Sequence, residues 1–266
     1  MDKIQENDWA IFRDSKGKEW LRQIIKGKSL QTHKGFVIFD EIIGNSYGLI
    51  FPILNDKILI TRPKPGQITR FMRHGTNIIY EADAVGMIST AGVGPGDQVL
   101  EIGTGSGGLT YYLANYCAKN TEFGKVVTID IRDDHTEIAK KNLERFSLSQ
   151  KVEFRTGLLP DVLTEKEYFD AAFIDMPTPW LVLADAVPSI KLGSSLMIFL
   201  PNWYQVEKTI EGALQLGNLT LLDVFETNRR PMEVNPARHV MRPVFRALVY
   251  SGIIIHLMKT HQYEVN

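Results

Sequence analysis

The segment Val99-Leu100-Glu101-Ile102-Gly103-Thr104-Gly105-Ser106-Gly107-Gly108 constrains this chain more than any other. An apolar run broken by one acid leads into a glycine loop. Residues 109–115 then read as a helix opening directly from the loop. Glycine permits positive φ and lets a ligand come close to the backbone. The first helical turn offers N–H groups and the positive end of the helix dipole, which suits a carboxylate or a phosphate. The spacing of Gly103, Gly105 and Gly108 also satisfies G-x-G-x-x-G, so a dinucleotide is one candidate ligand.

The pattern around this turn alternates. Strands are expected at residues 98–102, 125–131, 151–155, 169–174 and 194–200, and helices at 82–91, 134–146, 181–190 and 204–216. Further strands are expected near 220–226 and 245–256. Alternation at this spacing predicts a doubly wound, mostly parallel sheet with an antiparallel edge. Upstream, residues 35–39, 49–53 and 57–60 read as short strands broken by turns. Arg62-Pro63-Lys64-Pro65-Gly66 is the expected boundary, since two prolines and a glycine interrupt regular structure. The expected division is a small β-rich domain over 1–66 and a Rossmann-like α/β domain over 67–266.

Composition excludes several classes. With 44% hydrophobic and 23% charged residues the chain is neither disordered nor fibrous. Its apolar runs are too short to span a bilayer. The opening MDKIQENDWA is polar and acidic, which argues against a secretory or transit leader. One cysteine, Cys117, rules out a disulfide framework and points to a reducing, cytoplasmic setting. His74 and His239 lack partners at metal-ligand spacing, so no metal site is expected. The net charge of -1 hides an asymmetry: residues 1–75 carry 13 basic against 8 acidic side chains, and 229–266 carry 6 against 2. Basic ends around an acidic middle suit a polyanionic partner. The basic clusters are Lys57, Arg62, Lys64, Arg70 and Arg73, then Arg229, Arg230, Arg238, Arg242 and Arg246.

Three features turn the glycine loop toward S-adenosylmethionine. Glu101 stands two residues before the first glycine. Asp130 ends the second strand, where a carboxylate can accept ribose hydroxyls. Asp175-Met176-Pro177-Thr178-Pro179-Trp180 ends the fourth strand with an acid on a stiffened turn, a pattern foreign to dehydrogenases.

With these motifs in order, the chain resembles the tRNA (adenine-N1)-methyltransferases that act on the T-loop adenosine at position 58. The resemblance also rests on Thr32-His33-Lys34-Gly35, Asp40-Glu41-Ile42-Ile43-Gly44, Thr76-Asn77-Ile78-Ile79-Tyr80 with Asp83, and Arg242-Pro243 followed by Ser251-Gly252. It implies a small β-domain fused to a Rossmann-like methyltransferase, usually a homotetramer, with tRNA as partner. By motif, Glu101, Gly103 and Gly105 belong to the cofactor loop. By position the resemblance places cofactor contacts on Ile79, Ser106, Gly107, Gly108, Asp130, His135, Leu158, Leu159 and Asp175. It places Asp175 and Tyr80 at the target adenine.

The chain departs from the pattern at several points. Leu158 stands where the family usually has an acid facing the cofactor's adenine amino group, so only backbone groups there can meet it. Asn77 replaces a Gln, Thr178 an Asp, Gly75 an Arg and Tyr250 a His. Two other readings stay open: a noncatalytic tRNA-binding subunit, and a methyltransferase of another substrate.

Overall fold

A computed structural model describes residues 3–245 and 250–261. The chain divides into two compact units, Met1–Phe71 and Met72–Asn266. The smaller unit holds β1 (Trp9–Asp14), β2 (Glu19–Gln23), β3 (Ser29–Thr32), β4 (Gly35–Ile38), α1 (Phe39–Ile42), β5 (Leu49–Ile53), β6 (Asp56–Thr61) and α2 (Pro65–Arg70). Four strands form an antiparallel sheet in the order β2-β1-β6-β5, and β3 pairs with β4 as a separate hairpin. Its core is Ile4, Phe12, Ile24, Leu30, Val37, Ile58 and Ile60 with their neighbours. Phe12 stacks on Phe39 with ring centroids 5.7 Å apart.

The larger unit runs α3 (Glu81–Ala91), β7 (Gln98–Ile102), α4 (Gly108–Leu113), β8 (Lys125–Asp130), α5 (Asp133–Glu144), β9 (Val152–Thr156), α6 (Leu159–Val162) and β10 (Phe169–Ile174). It continues through α7 (Leu183–Ala186), β11 (Ile190–Leu200), α8 (Trp203–Leu216), β12 (Leu219–Phe225), β13 (Met232–Asn235), β14 (Val240–Pro243) and β15 (Ile253–Lys259). Seven strands form one sheet in the order β12-β15-β11-β10-β7-β8-β9. The neighbours from β11 to β9 are parallel, and β15 enters antiparallel between β11 and β12. After β7 the chain builds outward through β8 and β9, then returns to the other side of β7 as β10. That reversal leaves a crevice beyond the carboxyl ends of β7 and β10, the usual ligand position in open α/β sheets. Leu100, Ile102, Ile174, Ile198 and Ile255 lie in the buried core of this sheet.

Several elements differ from the sequence expectation. β1, β2 and β3 were not anticipated: Glu-Trp-Leu-Arg-Gln and Ser-Leu-Gln-Thr bury only one residue each, which is too little for a visible period. Pro65 does not break the chain but opens α2 at a position where its missing N–H costs nothing. The units therefore part after Phe71, not Gly66. The helix expected at 181–190 is two 3-10 turns, Pro179–Leu181 and Val187–Ser189, around the four-residue α7. Pro188 has no N–H to continue a helix. α4 gives way after Leu113 to a π-turn, Ala114–Ala118, that carries the buried Cys117. Within the stretch 245–256 expected as a strand, Ile253 onward forms the start of β15, and residues 246–249 lie outside the described residues. Before it comes the unforeseen hairpin β13–β14.

Candidate active site

The glycine turn is built by backbone contact. Gly103 has φ +98°, and a Cβ there would sit 2.1 Å from the carbonyl oxygen of Asp175. The Gly103 N–H donates to Ile129 and the Asp175 N–H to Ile102, so three strand ends are laced together. Gly105 and Gly107 also have positive φ, and a Cβ at Gly107 would press on the backbone of Ala139 in α5. Gly108 lies so close to Ile78 that a Cβ would come within 2.6 Å of its side chain. These glycines serve close packing of the loop against α5 and the 76–80 segment as much as ligand approach.

The acids are held in contrasting ways. Asp130 accepts from the Gly105 N–H at 2.9 Å and the Arg132 N–H at 3.0 Å, and His135 Nδ1 stands 3.2 Å away. A carboxylate has about four acceptor positions. Three are filled by the chain itself, so one remains open. Glu101 is fully buried. Thr110 and Thr128 hydroxyls donate to its Oε2 at 2.6 and 2.5 Å, while Oε1 has no partner. Burial pushes its carboxyl up to about 8 against the pull of those two hydroxyls. Oε1 is therefore a buried carboxyl oxygen without a partner, a place where an arriving cationic group would draw the carboxyl toward its ionised form. Asp175 directly follows β10 and is half-buried, and desolvation pushes its carboxyl up to about 7.

The turn after Asp175 is braced from α8. Gln205 Nε2 donates to the Pro177 carbonyl at 2.8 Å. Gly212 brings the helix backbone against Trp180, where a Cβ would lie 3.2 Å from the Trp180 Cβ. Trp180 thus anchors the turn to a helix.

The remaining candidates separate. Ile79 is buried, whereas Tyr80 is 55% exposed at the N-cap of α3. The Ser106 hydroxyl accepts from the Gly75 and Thr76 N–H groups, both at 2.9 Å. That side chain is spent on fixing the segment leading to Ile79 and Tyr80. Leu159 is buried and Leu158 is exposed. The Leu158 carbonyl already accepts from Asp161 and Val162. Both hydrogen-bonding positions of that carbonyl are thus taken up within the chain. Gly157 donates to the Asp130 carbonyl at 3.0 Å, which brings Leu158 to the rim beside Asp130.

Two supporting residues were not anticipated. Asn142, buried on α5, donates to the carbonyls of Arg73 and Ser106 and accepts the Arg73 N–H. A polar residue on the inner face of an amphipathic helix is the sequence signal for it. Asp83 is fully buried, and its Oδ1 accepts from Thr227 and, at 2.9 Å, from Ser251. Several arginines are engaged locally: Arg70 with Glu19 at 2.6 Å, Arg229 with Glu81 at 3.4 Å, Arg242 with Glu233 at 3.1 Å. Arg62 stacks on Tyr47. Arg246 lies outside the described residues. Among the described residues no helix is long and apolar enough to cross a membrane, and no His, Cys, Asp and Glu cluster is placed to hold a metal ion.

The sheet order and the strand-end acids around the glycine turn define the class: a Rossmann-like fold of the S-adenosylmethionine-dependent methyltransferases. The crystal structure of tRNA (m1A58) methyltransferase TrmI from Aquifex aeolicus superposes with a TM-score of 0.85 at 25% identity, covering 98% of this chain and 100% of that one. The crystal structure of a SAM-dependent O-methyltransferase from Thermotoga maritima gives 0.88 at 25% identity, covering 99% of this chain and 97% of that one. Residues 57–247 match the family model described as tRNA methyltransferase complex GCD14 subunit, and residues 3–50 match the TrmI-like N-terminal model. The chain belongs to the GCD14 family. Among its relatives is the tRNA (adenine(58)-N(1))-methyltransferase TrmI of Thermus thermophilus, 29% identical over 251 residues, 94% of this chain and 96% of that protein.

Proposed function

We propose that this protein transfers a methyl group from S-adenosylmethionine to N1 of an adenosine in the tRNA T-loop, at position 58, in the cytoplasm. The observation that carries this is the juxtaposition of Asp175 with the glycine turn at the carboxyl ends of adjacent strands. The cradle suits the cofactor: Glu101 Oε1 offers a buried acceptor for its ammonium, and Asp130 has a position for one ribose hydroxyl. The backbone of Gly103 to Gly108 allows close approach. Leu158 supplies an apolar face at the rim.

The cofactor supplies an electrophilic methyl group on a sulfonium. The protein's share is to place N1 of the base in line with it. Methylation leaves the adenine ring cationic, and Asp175 as a carboxylate stabilises that charge and accepts a hydrogen bond from the exocyclic amine. The T-loop adenosine is buried in folded tRNA and has to be extruded. Tyr80, exposed beside the turn, gives the extruded base a face to stack on.

A homotetramer is part of the proposal. β13 and β14 form an isolated two-stranded sheet with Met232, Val234 and Met241 exposed by 50, 57 and 77%. Such a hairpin is marginal alone and is stabilised by being covered. The deciding experiment is transfer of labelled methyl to an unmodified tRNA transcript, followed by mapping of the modified base. Label as 1-methyladenosine at position 58 is the expected result. Tight tRNA binding without transfer would favour a silent subunit instead.

A further inference from the structure

Beyond the residues already assigned, two large aromatic side chains stand exposed next to the site. Trp203 and Tyr204, the first two residues of α8, are each 64% exposed. Their position is held by three hydrogen bonds. The Asn202 side chain caps the helix by accepting the Gln205 N–H at 3.0 Å. Gln205 Nε2 donates to the Pro177 carbonyl, two residues beyond Asp175. The Tyr250 hydroxyl donates to the Pro201 carbonyl at 2.6 Å, and Tyr250 is itself 43% exposed. The aromatic pair therefore sits at the carboxyl ends of β10 and β11, on the sheet edge that carries Asp175. The first turn of α8 contains no acid. Its dipole and N–H groups thus favour a polyanion alongside the rings.

We propose that Trp203 and Tyr204 form a stacking platform for unpaired bases of the RNA that flank the extruded adenosine. This rests on the tRNA reading above. Extruding one base leaves its neighbours without a stacking partner. Aromatic side chains take up such bases irrespective of sequence, because every base has a π-face. A phenol and an indole held beside the target position meet that need with little entropy to lose, having two χ angles each. They act on substrate hold and not on the methyl transfer itself.

The test uses the full-length protein with Trp203→Ala, Tyr204→Ala, the double variant and Trp203→Phe. Steady-state methylation of tRNA is measured at several salt concentrations, with assembly mass followed by light scattering. The expected result is a KM for tRNA raised about tenfold in the double variant. KM for S-adenosylmethionine, assembly mass and the salt slope of KM stay as in the wild type, because stacking releases no counterions. Trp203→Phe retains most of the affinity. A double variant with wild-type KM overturns the platform alone. So does a loss of affinity that tracks a fall in assembly mass, which would make the aromatic pair a contact between copies. A wild-type protein that neither binds nor methylates tRNA overturns the underlying function, and the platform with it.

Discussion

At the scale of single residues the site turns on how much water each acid has lost. Asp175, pushed up to about 7, is partly protonated near neutrality, and only its carboxylate form can stabilise a cationic ring. The rate kcat/KM is therefore expected to rise with pH through about 7, and Asp175→Asn should lower kcat by at least about 100-fold and flatten that profile. A pH series on both proteins checks it. Glu101 has the opposite consequence for folding. Its carboxyl moves from 4.5 to about 8, so the folded protein keeps a proton that the unfolded chain has lost between those values. Stability then falls as pH rises across that window, and Glu101→Gln should flatten the fall in denaturant titrations. An ammonium arriving beside Oε1 favours the ionised form. Calorimetry of S-adenosylhomocysteine binding in two buffers at pH 6.5 should show proton release that Glu101→Gln abolishes. Gly103→Ala faces both a positive φ and the Asp175 carbonyl. It should abolish cofactor binding or unfold the larger unit, distinguishable by circular dichroism with a binding titration.

At the scale of elements, legibility followed burial. β7, β8, β10 and the second half of β11 are nearly continuous buried runs, and their sequences show it. So did the glycine turn, whose backbone demands admit few other residues. β2 and β3 were hidden because each fully buries only one residue, and the hairpin β13–β14 because Met232, Val234 and Met241 on it stand exposed. The helix expected at 181–190 is broken at α7 because Pro188 has no N–H to continue it. In the site, the acids were legible from their place at strand ends. What was not legible is where hydrogen bonds go: the Ser106 hydroxyl and the Leu158 carbonyl are occupied by their own chain. Asp83 is a further case, tying α3 to residues 144 and 168 positions away in sequence. Asp83→Ala leaves the half-buried Thr227 and Ser251 hydroxyls without their acceptor and should cost about 1 kcal/mol in urea unfolding.

At the scale of the whole molecule, the charge asymmetry and the uncovered hairpin point outward. Replacing residues 232–243 by a short glycine-serine linker should lower the assembly mass in solution, and sedimentation measures this directly. An unchanged mass would show that copies meet elsewhere. The position of β15 bears on a different matter, the order in which the molecule is made. It lies between β11 and β12, antiparallel to both, yet follows them in the chain. During synthesis β12 emerges with no strand to pair with, and the parallel sheet ends at β11 with an open edge. The nascent protein cannot extend this sheet one strand at a time; it waits for Ile253–Lys259 to enter a gap already flanked on both sides. A ribosome stalled before that segment therefore holds a sheet with two bare strand edges facing an empty gap, a substrate for chaperones and for aggregation.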